Sequence, residues 1–162
     1  MNWAFSSIGA PLKAIVVGGF AAGLLDILYA FASGAARGHS PDSILKYVAS
    51  GLLGPAAFSG GPATALAGLA MHFAMALLIA AIFIIAAEKD AIAIRNYPWL
   101  SGPLFGVGVY LVMQQVVLPL SRAPLPSPRP PINFPDLAAH MFLVGLPIAL
   151  AACRWGLPAR NN

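Results

Sequence analysis

The stretch PATALAGLAMHFAMALLIAAIFIIAA, residues 62–87, runs for 26 residues without an Asp, Glu, Lys or Arg. A helix that crosses a bilayer needs about 20 consecutive apolar residues, at a rise of about 1.5 Å each. This stretch meets that length with residues to spare. Its one ionisable side chain is His72, which sits within the segment LAMHFAM at 69–75.

Three further apolar runs flank it. The chain therefore reads as four spans at about 14–34, 62–87, 98–120 and 136–155. Composition agrees, since 59% of the 162 residues are hydrophobic and 9% are charged. A soluble domain is typically about 45–50% apolar and about 25% charged. A chain this short has too little interior to hide so much apolar surface from water. The expected fold is all-α: a polytopic membrane protein whose four transmembrane helices form one antiparallel bundle over 1–162. The first run is too long for the apolar core of a signal peptide and contains Asp26, so it reads as a span.

The first loop has its own structure. In SPDSILKYVASGLLG, Ser40 suits an N-cap, Pro41 the first helical position and Asp42 the first turn. Ile44, Leu45, Val48, Leu52 and Leu53 favour one face. A short amphipathic helix over about 41–53 follows, either lying in the membrane interface or acting as a lid over a cavity. The third loop, SRAPLPSPRPPINFPD, is rich in proline and reads as an extended strap.

Four spans bring both termini to one side. Trp3, Tyr97, Trp99 and Trp155 fall at that side, as half of an aromatic belt. Five basic residues there (Lys13, Lys89, Arg95, Arg154, Arg160) stand against four on the other (Arg37, Lys46, Arg122, Arg129). That balance weakly favours cytoplasmic termini. The net charge of +4 is spread over every loop, which is not the clustered patch that nucleic acid requires. Cys153 is the single cysteine, so no intrachain disulfide forms.

Ionisable groups inside a span are costly and tend to mark function. Asp26, His72 and His140 are such groups, and Gln114 and Gln115 add amides. Counted along the helical rise, Asp26, His72, Gln114 and His140 lie about 12, 15, 9 and 6 Å inside the end nearest loops one and three. A shared polar cluster of Asp26, His72, Gln114 and His140 is the simplest account. Tyr29 and Tyr110, one helical turn from Asp26 and Gln114, are placed to support it, as is Gln115. Gly19, Ala22 and Gly23 share the Asp26 face, and Ala65, Gly68 and Ala76 share that of His72. Gly102 and Gly106 repeat the spacing on the third span. Such small residues let helices pack closely. LAAHMFL at 137–143 echoes LAMHFAM at 69–75, in a span running the same way.

Several functions fit these residues. The cluster could bind or relay a proton, a cation or a small polar solute, as in transport. Alternatively the chain is a non-catalytic accessory or scaffold subunit of a larger membrane complex, or a homo-oligomer, and the polar groups are glue between helices. A third reading is metal or haem binding through His72 and His140, with Asp26 as a further metal ligand. Met71, Met75, Met113 and Met141 near the histidines hint at Cu(I), although Met is also ordinary core filler. The depth difference between the two histidines counts against haem. No cofactor is required by any motif. No phosphate loop, nucleophile elbow or paired catalytic carboxylates mark an enzyme.

The pattern of GGFAAGLLDILYAF, ILKYVASGLLG, GGPATALAGLAMHF and DLAAHMFLVGLPIAL resembles small four-span inner-membrane proteins of bacteria whose activity is not established. The resemblance covers most of the chain. It implies a four-helix membrane fold and a bacterial inner-membrane location, and it supplies no site residue.

Overall fold

A computed structural model of the chain describes residues 9–87, 94, 96–125 and 132–156. It is all-helical, with no strand among the described residues. The first span is α1, Gly9–Ala35, and a shorter helix α2, Pro41–Leu53, follows. The second span is α3, Pro62–Ala87. Two further spans, α4 at Pro98–Leu120 and α5 at Phe134–Gly156, complete the set. All four are long and apolar enough to cross a membrane. The protein is a four-helix membrane bundle. The second and third spans begin and end where the sequence places them. α1 starts five residues earlier than the expected 14, and α5 starts at Phe134 rather than Asp136.

The first and last spans form the middle of the bundle. α1 packs against α5, while α3 lies along α1 and α4 along α5. α3 and α4 meet through the rings of Phe83 and Phe105, 4.8 Å apart. Glycines make the approach close. A Cβ on Gly145 would strike the Gly102 carbonyl oxygen, and one on Gly106 the His140 carbonyl. α4 and α5 thus touch backbone to backbone, the contact that small residues permit in lipid.

Size is sorted from inside to outside. The core is Ala14, Ala22, Ala80, Ala149 and Ala152 with a few larger side chains such as Phe83, Ile84 and Ile148. Leu24, Leu66, Ile82, Ile85 and Leu104 are all more than half exposed. In water that outer surface would be unfavourable by roughly 25 cal/mol per Å². Against acyl chains it carries no such penalty.

Lys13 lies over the Trp155 ring at 5.2 Å, and Arg154 at 5.6 Å, so the start of α1 and the end of α5 share one end of the bundle. Tyr97 and Trp99 are largely exposed. Trp3, Lys89, Arg95, Arg160 and residues 126–131 of the proline strap, with Arg129 among them, lie outside the described residues.

α2 is capped as its sequence requires. The Ser43 amide donates to Ser40 Oγ at 3.2 Å, Pro41 opens the helix, and Lys46 pairs with Asp42 at 2.7 Å. Its apolar residues, however, split between two directions. Leu52 and Leu53 are exposed, whereas Ala49 and Ser50 are fully buried. The buried side crosses α3 at Gly68, where a Cβ would meet the Leu45 carbonyl. α2 is seated on the bundle rather than resting loosely beside it.

Candidate functional site

At the α2 end, a cavity of about 430 Å³ opens between α1, α2, α4 and α5. Asp26, Tyr29 and Ser33 line it from α1, Gln114 from α4, and Asp136 and His140 from α5. Ser43, Ile44 and Tyr47 of α2 form part of its wall, with Phe58 beyond them. Partial burial pushes the Tyr47 hydroxyl above the ordinary tyrosine value, so it stays protonated.

Arg37 and His39 stand at the outer edge. A tight turn after α1 places them there. Gly38 takes φ 82°, the His39 amide donates to the Gly34 carbonyl at 2.9 Å, and the Gly38 amide donates to that of Ala35 at 3.0 Å. This is the glycine-closed helix end that a residue with a Cβ disfavours.

A second, smaller cavity of about 70 Å³ lies deeper. His72, Met75, Met113, Asp26 and His140 line it, among apolar residues such as Ile79, Val109 and Val144. Asp26 and His140 belong to the walls of both cavities. The Asp26 carboxylate has no hydrogen-bond or ion-pair partner among the described residues.

The two histidines are held by opposite ring nitrogens. His72 Nε2–H donates to the Gly23 carbonyl of α1 at 2.8 Å. His140 Nδ1–H donates to the Asp136 carbonyl of its own helix, also at 2.8 Å. Each partner is a carbonyl oxygen, which only accepts, so the proton positions follow. His72 Nδ1 and His140 Nε2 are left without a protein partner among the described residues.

Asp136 anchors a network. The Tyr29 hydroxyl donates to its Oδ1 at 2.7 Å and Asn133 Nδ2 to its Oδ2 at 2.8 Å. The Tyr110 hydroxyl accepts from the Asn133 amide at 3.0 Å, and its ring stacks edge-on against His140 at 5.5 Å. Both tyrosines therefore support the site through α5, not through Asp26 or Gln114.

The expected cluster thus lines connected walls rather than forming one bonded knot. Gln114 faces the outer cavity only, His72 the inner only. Gln115 is exposed and lines neither. The depth argument separating His72 from His140 fails, because both reach the inner cavity.

Local helix geometry also contributes. Met113–Val117 and His140–Gly145 are wide π-turns, with Leu118 and Leu146 amides donating five residues back to Met113 and Met141. Pro119 and Pro147 follow each turn and lack the N–H that a regular helix would use. Gln114, Met113 and His140 all sit in these turns.

Asp136, Asn133, Arg37 and His39 were missed from the sequence. The Asn133-Phe-Pro-Asp136 pattern was the available signal, a capping residue with an acidic group three positions on. The two Leu-Ala-x-His segments also differ in form. α3 is a regular helix through His72, whereas α5 widens at His140. Among the described residues, no three His, Cys, Asp or Glu side chains are placed to hold one metal ion.

Comparison with family models, curated proteins and solved structures finds no match.

Proposed function

We propose that the paired cavities are the working part of the protein, a site that binds or relays a proton, a cation or a small polar solute within the membrane. One observation carries this reading: Asp26, partnerless among the described residues, borders both cavities. A carboxylate kept in a membrane span solely to join helices would be expected to have a bonded partner. The mixed wall of the outer cavity, with Arg37 and His39 at its edge, offers a polar route from outside toward Asp26 and then His72. A bacterial inner membrane, with the Lys13–Trp155 end toward the cytoplasm, is the setting that goes with this reading.

A non-catalytic accessory subunit would instead keep a dry cluster. Thiol accessibility separates the two. In a Cys153→Ala background, Asp26→Cys and His72→Cys are tested in proteoliposomes with a small charged thiol reagent. Both react when it is supplied from the α2 end, while Ala80→Cys, fully buried and bordering neither cavity, does not. Lack of reaction at both Asp26→Cys and His72→Cys, in folded protein, would discard the binding or relay reading in favour of the accessory one.

A further inference from the structure

We propose that the inner cavity is a binding site for Cu(I), held by the thioethers of Met75 and Met113 and the imidazoles of His72 and His140. The proposal rests on the reading of the cavities as a cation or solute site and names the cation. Four soft or borderline donors from three helices line one small space. Thioether sulfur selects Cu(I) over harder cations, and imidazole suits copper as well. His72 and Met75 stand three residues apart on one face of α3. Met113 and His140 each open a π-turn, in α4 and α5 respectively.

Proton placement favours a cation. The one N–H of each neutral ring is spent on a carbonyl, which leaves a lone pair on His72 Nδ1 and on His140 Nε2. Besides the two imidazoles, Asp26 is the one polar side chain among the described residues that lines this cavity, and a carboxylate oxygen too can accept. Toward a cation, the polar side chains that line this space can all act as acceptors.

The same geometry argues against other metals. Zinc, iron or manganese sites draw on His, Cys and carboxylate ligands. No three such groups are placed to share an ion among the described residues. Cu(I) has a filled d shell and accepts few, soft ligands. A volume of about 70 Å³ is far smaller than a haem.

The full-length Cys153→Ala protein, purified in detergent, is titrated anaerobically with Cu(I) against a chromophoric Cu(I) chelator. X-ray absorption is recorded on the loaded sample. One Cu(I) per chain with mixed nitrogen and sulfur ligation is expected. Met75→Leu with Met113→Leu conserves volume and leaves the fold intact. It lowers affinity by more than about 100-fold, beyond the ~10–100-fold that loss of an outer-shell partner costs. Met71→Leu and Met141→Leu, which border neither cavity, leave affinity unchanged. Absence of chain-stoichiometric binding, ligation without sulfur, or equal affinity in the Met75/Met113 double variant would each overturn the copper site. If Asp26→Cys and His72→Cys still react with the thiol reagent, the general cavity reading survives that failure. If both are inaccessible, the two readings fall together.

Discussion

The Tyr29 hydroxyl donates to Asp136 Oδ1 at 2.7 Å across 107 positions of sequence. That bond ties the last third of α1 to the first turn of α5. It also fixes the residue whose carbonyl holds the His140 ring. A bond to a charged acceptor is worth about 1.5–3 kcal/mol in soluble proteins, and interhelical bonds in membranes about 0.6–2 kcal/mol. Tyr29→Phe is therefore expected to cost about 1–2 kcal/mol. Asp136→Asn costs at least as much, because both carboxylate oxygens accept, from Tyr29 and from Asn133 Nδ2, and an amide accepts through one oxygen only. Unfolding in mixed micelles with increasing SDS measures both. In the double variant the losses fall short of their sum; strict additivity would show that the bond carries no energy.

Close packing of α4 on α5 gives an opposite pair of outcomes within neighbouring turns. Gly145→Ala drives a methyl group into the Gly102 carbonyl and the Gly106 amide. Overpacking of this kind costs about 1–3 kcal/mol. Gly108 has nothing within 4 Å of its added Cβ. Gly108→Ala is expected to be neutral or to stabilise by up to about 1 kcal/mol, from backbone entropy alone. The same SDS titration ranks the two, and a Gly145→Ala protein as stable as Gly108→Ala would contradict the backbone contact.

Ser40 links helix capping to the outer cavity. Its hydroxyl accepts from the Ser43 amide, and Ser43 lines the cavity wall. Ser40→Ala removes the cap, at about 0.5–2 kcal/mol. Fraying of the first turn of α2 should then speed thiol labelling of Ser33→Cys, measured in the Cys153→Ala background. Lys46→Met keeps the aliphatic stem, breaks only the pair with the exposed Asp42 carboxylate, worth about 0.3–0.5 kcal/mol, and should leave that rate close to the parent's. Equal rates in all three proteins would mean that α2 does not shield the cavity.

The spans were legible because hydrophobic runs and their limits depend on neighbours in sequence. Pro62 and Pro98 open helices at the expected positions, and Ser40-Pro41-Asp42 caps α2 as read. Asp136 was legible only as a boundary residue. Its pairing with Tyr29 depends on how α1 and α5 cross, which no local pattern encodes. Gln114, expected in the cluster, and Gln115, expected only to support it, point about 100° apart, and Gln114 lines the outer cavity while Gln115 is exposed. Both amides sit in the π-turn before Pro119. Arg37 and His39 reach the cavity through the turn at Gly38, a position that a reading by spans treats as outside the membrane.

Placing the first span beside the last has a consequence for biogenesis. α1 leaves the ribosome first, yet the neighbour for Gly18, at Ile148 and Ala151 of α5, arrives last. Until then α1 can pair only with α2 and α3, and the glycine edge of α4 has nothing to meet. Insertion must therefore hold three helices in an unfinished arrangement, with notches of exposed backbone facing lipid or an insertion factor. Chains halted before residue 134 would present those notches as a mark of incompleteness to the membrane's quality-control proteases.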